Sequence, residues 1–450
     1  MMTRKFAPAV LWLLMLGLCG WGFVSSQAQT ARPKAIQRKS SDAANPAAGE
    51  ARRGEWSRWR GPNGDGISLE AGLLDSWPAQ GPPLAWRVKG LGGGYSSVAI
   101  VGDKIFTMGE RDGAAWLHAR KLEDGSELWK TKVGGGSPNC TPTVDGERVY
   151  CLSRYGELAC CRTDDGSLVW SKTYSKDFGV EGTPIWGFSE SPLVDGEALV
   201  CTPGNNRALL AALDKKTGET IWTTRVADEQ LAGGSGHGGA GYSSIVVSRA
   251  GGVKQYVTLV GRGVVGAHAA TGKLLWFYPD VANGTASIPT PIIAGDHVFC
   301  SSGYGAGSAL IKLNRQGEAL DVQEVYFLPG DTMQNHHGGM IQREGFIYCG
   351  HGHNQGFPLC IDGRNGKVAW RERRGPGGGS AAVAYADGHL YFRYQDGTMA
   401  LIEATPRQYR LKGKFQIASH NGESWPHPVI AGGKLYLRDQ NELLCYDVRK

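Results

Sequence analysis

A repeated four-strand unit constrains this chain more than any other feature of its sequence. The unit is clearest from Glu190 to Trp222, where four short extended runs read SPLV, EALVCT, ALLAALD and ETIW. Tight-turn signals separate these runs, among them Asp195-Gly196 and Thr217-Gly218. A single four-stranded meander cannot bury both of its faces, so the unit has to be stacked against copies of itself.

Copies of the closing turn and its tryptophan recur along the chain. They read DGSELW, DGSLVW, TGETIW, TGKLLW and NGKVAW and end at Trp129, Trp170, Trp222, Trp276 and Trp370, and an isolated LAW ends at Trp86. The spacings from Trp86 to Trp276 are roughly 41 to 54 residues, which is the length of one four-stranded propeller blade. We interpret all six tryptophans as structural residues that dock between neighbouring blades.

Counting the repeats gives eight blades. Blade five is degenerate and ends near Val325 and Tyr326, and blade seven ends near Phe415 without a tryptophan. The eighth, WPHPVIAGGKLYLRDQNELLCYDV, stops after three strands, and the segment around Trp86 can supply the missing outer strand. The sequence therefore predicts an all-β, eight-bladed β-propeller of four-stranded antiparallel blades over residues 86–450, with the ring closed by an N-terminal strand.

The repeat consensus reads small-Pro-x-Val, xGxxVY, Gly-x-Leu-x-Ala-Leu-Asp and Thr-Gly-x-x-x-Trp, and it resembles the PQQ-like (quinoprotein-type) β-propeller repeat. The resemblance extends from about Trp86 to the C-terminus. Quinoprotein dehydrogenases share this repeat with the propeller lipoprotein of the outer-membrane β-barrel assembly machine. The resemblance therefore implies the architecture and leaves both enzymes and scaffolds open.

The N-terminal region reads as three segments. Residues 1–28 have Arg4 and Lys5, an apolar run and a small-x-small cleavage site before Gln29, which predicts a secretory signal peptide rather than a retained transmembrane anchor. Leu18 stands before Cys19 where a lipoprotein signal needs a small residue, so no lipid anchor is expected. Residues 29–54 predict a disordered basic tether. Residues 55–85 predict an ordered lead-in segment that packs on the ring, as a cap on an edge or on the channel bottom.

The charge balance excludes one class of partner. Residues 1–53 contain eight basic and two acidic residues, a net +6, and the whole chain is also +6, so the propeller itself is neutral. A neutral ring offers no nucleic-acid surface. We expect an exported protein, periplasmic or secreted, that is a monomer and touches a membrane at most through its tether.

The cysteines recur at equivalent positions of the repeat. Cys151, Cys201, Cys300 and Cys349 share one second-strand position, and Cys160, Cys360 and Cys445 share the alanine position of Ala-Leu-Asp. This recurrence indicates small packing residues rather than a disulfide framework. If the hairpin pivots at Tyr155-Gly156, however, Cys151 and Cys160 face each other, and a disulfide there stays open. The adjacent Cys160 and Cys161 resemble the vicinal pair of quinoprotein alcohol dehydrogenases but lie inside a strand.

One face of the disc collects the candidate ligand-binding residues. Connections between blades and between second and third strands lie on this face, which we call the rim. Its longer, glycine-rich loops are where ligands bind on such scaffolds. The candidates are His237, His336, His337, His351, His353, His420, Trp186, Glu181 and Glu190.

Three function classes follow, and we prefer the first. It is a non-catalytic binding or scaffold protein without a cofactor that binds through its loop-rich rim. The resemblance implies that its partner is an envelope protein or a peptide laid along a blade edge or across the rim. The second, implied by the resemblance, is an alcohol or sugar oxidoreductase that uses pyrroloquinoline quinone (PQQ) and calcium. The third is a hydrolase or lyase with a metal held by the histidines of blade six, although their spacing matches no standard zinc motif. An open channel mouth lined by carboxylates favours an enzyme, and a mouth filled by Tyr95, Tyr242 and serines favours a scaffold.

Overall fold

The computed structural model describes residues 52–317 and 319–450. The expected signal peptide and nearly all of the expected tether lie outside the described residues. Within the described residues, thirty-two strands form eight four-stranded antiparallel sheets, as the repeats predicted. No described helix is long and apolar enough to cross a membrane.

The first four blades follow one another along the chain. Blade one contains β2 (Ala99–Val101), β3 (Lys104–Arg111), β4 (Ala114–Lys121) and β5 (Glu127–Gly135); blade two contains β6 (Thr143–Asp145), β7 (Arg148–Leu152), β8 (Glu157–Arg162) and β9 (Leu168–Thr173); blade three contains β10 (Leu193–Asp195), β11 (Ala198–Cys201), β12 (Ala211–Asp214) and β13 (Thr220–Thr223); blade four contains β14 (Val246–Ser248), β15 (Gln255–Val260), β16 (Gly263–His268) and β17 (Leu274–Tyr278). A short helix α1 (Tyr174–Phe178) and 3-10 turns at Asp228–Leu231 and Ala250–Gly252 lie between strands.

The remaining blades continue the series. Blade five contains β18 (Ile292–Ala294), β19 (His297–Ser302), β20 (Gly307–Gln316) and β21 (Ala319–Leu328); blade six contains β22 (Met340–Arg343), β23 (Phe346–His351), β24 (Phe357–Asp362) and β25 (Val368–Arg371); blade seven contains β26 (Ala381–Ala386), β27 (His389–Tyr394), β28 (Thr398–Glu403) and β29 (Leu411–Gln416); blade eight contains β30 (Val429–Ala431), β31 (Lys434–Asp439), β32 (Glu442–Asp447) and β1 (Leu84–Lys89). In each of the first seven blades, the innermost strand comes first in chain order.

Strand β1 closes the ring, which confirms the prediction made from the orphan Trp86. It pairs antiparallel with β32, and Trp86 stands opposite Cys445. Arg87 donates to Glu442 through Nε at 2.6 Å and Nη2 at 2.8 Å. The outer strand of the last blade comes from the start of the propeller, so the N-terminal and C-terminal ends of the ring are joined within one sheet.

The repeated Gly-x-x-x-Trp motif forms the contact between successive blades. The indole N–H of Trp129, Trp170, Trp222 and Trp370 donates to a backbone carbonyl of the following blade, at 2.8 to 3.3 Å. In the degenerate blade five, the Tyr326 hydroxyl replaces the indole and donates to Gly363 O at 2.8 Å. Trp276 differs, because its indole donates to Gln255 of its own blade.

The lead-in segment lies across the channel on the face opposite the rim. Trp56 pairs with Ile100 of blade one, and Ser57 O accepts from Val144 N of blade two at 2.8 Å. Further along, Ile67 bridges to Tyr385 of blade seven and Leu73 bridges to Arg449 after blade eight. Because these partners belong to blades around the ring, the segment closes the bottom of the channel.

The strand register corrects one expectation about the cysteines. Cys160 stands opposite Tyr150, and Cys151 stands opposite Ala159, so Cys151 and Cys160 do not face each other as the sequence suggested. The loop between the two strands is one residue longer than the assumed pivot allows, because Ser153 N donates to Glu157 O, and a shift of one residue moves a side chain to the other face of the sheet. The nine described cysteines are all buried and free.

Candidate functional site

A cavity of about 220 Å³ lies at the channel mouth on the rim. Its walls come from blade-to-blade connections and from second-to-third-strand hairpins, the two kinds of loop that the repeat places on this face. The lining residues are Trp59, Arg60, Tyr95, Asn139, Arg154, Trp186, Ser189, Tyr242, Ser244, Ala286, Ile288, Pro289, Thr290, Tyr304, His336, His337, Gly339, Trp425, Pro426 and His427. We call this space the central cavity, and none of these lining residues is a carboxylate.

Aromatic rings in edge and tilted contact make up much of the central cavity wall. Tyr95 packs on Trp425 with ring centroids 4.5 Å apart, and Trp425 lies 5.1 Å from the ring of His337. Across the mouth, Trp186 contacts Tyr242 at 5.7 Å. Tyr95, Tyr242 and serines therefore line the cavity rather than fill it, so the mouth matches neither the carboxylate-lined mouth expected of an enzyme nor the filled mouth expected of a scaffold.

Three of the predicted histidines meet at one side of the central cavity. The ring of His336 lies 4.4 Å from His337 and 4.5 Å from His353. Both nitrogens of His336 are engaged, with Ser380 Oγ at 2.7 Å and Tyr304 Oη at 3.1 Å. Burial lowers the pKa of His336 to about 4 and that of His337 well below its usual value, so both rings are neutral at pH 7.

A rigid loop beside the central cavity exposes apolar side chains. Arg154 donates to Ile185 O at 2.9 Å and to Trp186 O at 3.0 Å, and Asn139 donates to Trp186 O at 2.8 Å. These bonds fix the loop although Ile185 is 77% and Trp186 is 39% exposed. Tyr155, which is 50% exposed, follows Arg154 directly. We call Tyr155, Ile185 and Trp186 the apolar rim patch.

Two predicted residues, Glu181 and His237, line a separate cavity of about 630 Å³. It lies between the connection from blade two to blade three and the connection from blade three to blade four. Tyr242 and Ala286 line both cavities, so the second cavity adjoins the central one. Exposed Arg207 also lines it.

The remaining predicted residues lie outside both cavities. Glu190 is buried, where it accepts from the Tyr174 hydroxyl at 2.8 Å and from Thr202 N at 2.6 Å, and burial raises its pKa. His351 is buried at the end of β23 and accepts from Gln334 N at 3.3 Å. His420 is exposed beside Ser424, at 3.3 Å.

Sequence reasoning missed the floor of the central cavity. Trp59 and Arg60 reach it from the lead-in segment, where Trp59 Nε1 donates to Thr290 Oγ1 at 3.4 Å and its ring lies 4.4 Å from His427. Burial lowers the pKa of Arg60 to about 10. The available signal was the alternation of tryptophan and arginine in WSRWR. Long cationic side chains in an ordered segment that packs on a neutral ring have to lie against some part of that ring.

The central cavity does not fit PQQ held by calcium. Calcium takes six to eight oxygen ligands, largely from carboxylates, and the cavity lining contains no carboxylate. The adjacent Cys160 and Cys161 are buried in the core of blade two rather than placed over the cavity. Across residues 52–317 and 319–450, no three His, Cys, Asp or Glu side chains are grouped to hold a metal ion.

Part of this chain is similar in sequence to known proteins. The family model described as outer membrane protein assembly factor BamB matches residues 113–372. The BamB of Salmonella typhimurium is 27% identical over 150 residues, which are 31% of this chain and 37% of that protein. The match thus spans little more than a third of that relative's length.

Solved structures share the fold at low sequence identity. The crystal structure of BamB from Moraxella catarrhalis superposes with a TM-score of 0.56 at 11% identity, over 80% of this chain and 96% of that one. Quinohemoprotein alcohol dehydrogenase from Comamonas testosteroni gives a TM-score of 0.62 at 13% identity, over 92% of this chain and 83% of that one. These two likenesses concern the fold, because a BamB and an alcohol dehydrogenase superpose on this chain about equally well.

Proposed function

The chain belongs to the family of the outer membrane protein assembly factor BamB, and from that premise we propose that it is an exported, non-catalytic binding protein of the cell envelope. Its partner is an envelope protein or an extended peptide, held at the rim. The binding uses neither a cofactor nor a nucleic acid, and the protein acts as a monomer in the periplasm or outside the cell.

The apolar rim patch is the observation that carries this proposal. Ile185 and Trp186 stand out from a loop that Arg154 and Asn139 hold by four backbone and side-chain contacts, including Asn139 to Ser189 Oγ at 2.9 Å. Covering a large apolar side chain on binding contributes about 1.5–3 kcal/mol. Because the loop is already fixed, little conformational entropy is lost when a partner covers it.

The chemistry of the rim also favours binding over catalysis. His336 and His337, which line the central cavity, are neutral, and both ring nitrogens of His336 are hydrogen-bonded. The one predicted glutamate in this region with a raised pKa, Glu190, is buried away from the cavities. A general acid or base has to reach its substrate within hydrogen-bond distance. Aromatic and apolar groups at a rigid surface are instead typical of protein-binding sites.

Site-specific photo-cross-linking tests the proposal. A photoreactive residue at position 185 should form adducts with an envelope protein in cells of the native host, and one at Leu168 should not. Leu168 is 54% exposed but lies on the outer strand β9, away from the rim. Ile185→Asp should abolish capture by a probe at position 186, while Leu168→Asp should leave it intact. Equal adducts from both positions would contradict the proposal.

Reconstitution separates this proposal from the quinone-dependent oxidoreductase. Purified protein is incubated with PQQ and calcium, dialysed, and examined for quinone absorbance and for dye reduction with alcohols and sugars. We expect neither signal, because the central cavity lacks carboxylate ligands. Stoichiometric bound quinone together with dye reduction would contradict the non-catalytic binding protein and support the quinone-dependent oxidoreductase.

A further inference from the structure

Two buried arginines in the channel lack a carboxylate partner. Arg60 Nη2 donates to the backbone oxygens of Asp65, at 2.9 Å, and Met340, while its Nη1 is buried without a hydrogen-bond partner. Arg58 is buried too, and its Nη2 has no partner. In the described part of the chain, neither guanidinium forms an ion pair within 4 Å. Asp65 lies near both guanidinium groups but accepts from Ile67 N at 3.0 Å, and Asp195 lies near Arg58 alone.

This arrangement leaves the central cavity with positive charge only. Arg60 lies at its floor and Arg154 at its wall, and no lining residue is acidic. A buried charge without a partner costs several kcal/mol, and a ligand of opposite charge recovers part of that cost. Charge complementarity therefore points to an anion. His337 adds a second buried nitrogen, Nε2, that has no partner.

The walls specify what the anion is attached to. Trp59, Trp186, Tyr242, Tyr304 and Trp425 enclose the space with ring faces and edges. Aromatic walls favour a flat or bulky apolar group over a hydrated inorganic ion. A volume of about 220 Å³ holds one large side chain or one small aromatic acid rather than a folded domain.

We propose that the central cavity binds a carboxylate carried by an aromatic or large aliphatic group. Arg60 and Arg154 face the carboxylate, and the aromatic rings enclose the apolar part. This proposal rests on the proposed function: the group is the C-terminal residue of an extended polypeptide laid over the apolar rim patch. A free aromatic acid presents the same chemistry, and the experiment distinguishes the two sources.

Calorimetric titration of the full chain tests the carboxylate. The probes are a hexapeptide that ends in phenylalanine with a free carboxylate, its C-terminal amide, N-acetylphenylalanine and N-acetylphenylalaninamide. Charge-assisted hydrogen bonds are roughly twice as strong as neutral ones, so each acid should bind at least about tenfold more tightly than its amide. The unmodified protein suffices for this comparison, so no variant has to fold. Quenching of Trp59, Trp186 and Trp425 fluorescence gives a second readout.

Substitutions then test whether the arginines of the central cavity recognise the carboxylate. Arg60→Met and Arg154→Gln should each reduce the preference for acid over amide, and Arg60→Met should bring it within about twofold. The matched control is Arg207→Gln, an exposed arginine that lines the second cavity. It should leave the preference unchanged. If Arg60→Met does not fold, the comparison of acid and amide on the unmodified protein still decides. Arg154→Gln is judged together with the cross-link at position 185, because Arg154 also holds the loop of the apolar rim patch.

The outcomes separate this proposal from the proposed function. Equal binding of acid and amide, or no binding of any probe at millimolar concentration, overturns the carboxylate site even when position 185 still cross-links a partner. Binding of N-acetylphenylalanine without the peptide overturns the polypeptide source. Selective binding of the acid peptide with no cross-link at position 185 supports the site and contradicts the role of the apolar rim patch.

Discussion

Gly218 of blade three lies directly against the indole of Trp170 in blade two. A Cβ atom added at Gly218 would stand 2.8 Å from Cδ2 of that ring, and Gly218 has a φ of +75°. The same relationship joins Gly272 to Trp222 and Gly125 to Trp86. The glycine and the tryptophan of the repeat are therefore two sides of one contact between successive blades, and each explains why the other recurs.

Gly218→Ala should lower the free energy of unfolding by about 2–4 kcal/mol, because it combines left-handed backbone strain with a collision against the Trp170 ring. Gly196→Ala is the matched control. Gly196 has a φ of +62° but nothing within 4 Å of an added Cβ, so it should cost only about 1–2 kcal/mol. Equilibrium unfolding in guanidinium chloride measures both. Equal losses would show that the ring contact does not matter.

A fully buried ion pair holds the connection that carries Trp425. Arg393 Nη2 donates to Asp439 at 3.2 Å and Nη1 donates to Pro426 O at 2.9 Å, while Asp439 also accepts from Ser424 and Asn421. Asp439→Ala should lower the free energy of unfolding by about 3–5 kcal/mol, since it leaves the guanidinium buried and unpaired. It should also loosen Trp425, which limited proteolysis and tryptophan fluorescence detect.

The double substitution Arg393→Met with Asp439→Leu is the control for that prediction. It removes both charges, so it should recover much of the stability lost in Asp439→Ala. A double variant as unstable as the single one would mean that the backbone contacts to Pro426 and Asn421, rather than the unpaired charge, carry the effect.

The repeat made the architecture predictable from the sequence, and the features that it did not predict have physical reasons. Eight repeats, five of which end in the closing turn and its tryptophan, establish the blade number. They also predict the closure by β1, because an unpaired three-stranded blade needs a partner. The rim could be assigned from strand order alone, and His336, His337 and Trp186 do line the central cavity.

Other features depended on information that the repeat does not contain. The path of the lead-in segment is set by hydrogen bonds to residues 231 to 362 positions away, so the location of Trp59 and Arg60 followed from no local pattern. The Cys151 register depended on one residue of turn length. Glu190 was assigned to the rim by its loop, but its side chain turns inward to Tyr174 and Thr202.

Buried neutral histidines should make the fold sensitive to acid. Burial lowers the pKa of His427 to about 3 and of His336 to about 4, below the value of about 6.5 in the unfolded chain. Between these values the unfolded state binds more protons, so stability is full above pH 6.5 and is lost as the pH falls. At pH 5 the loss is about 2 kcal/mol for a fully buried histidine and less for His336.

Urea unfolding at pH 7 and pH 5 measures this loss directly. His336→Gln should reduce the difference between the two pH values while leaving the neutral side chain able to bond Ser380 and Tyr304. An unchanged difference in that variant, or equal stability of the parent protein at both pH values, would contradict the assignment of neutral rings.

Cys151 and Cys160 should remain free thiols even in an oxidising compartment. Adjacent residues of a strand point to opposite faces, and Cys160 stands opposite Tyr150 rather than Cys151, so the two sulfurs lie on opposite faces of the sheet. Burial also raises the pKa of the Cys160 thiol to about 12 and of Cys161 to about 11, which keeps the reactive thiolate scarce. Alkylation in denaturant without a reducing agent, followed by peptide mass analysis, should find Cys151, Cys160 and Cys161 all modified, whereas alkylation of the native protein should leave them unmodified. A linked Cys151–Cys160 peptide would require a one-residue slip between β7 and β8, and would show that the register described for blade two is wrong.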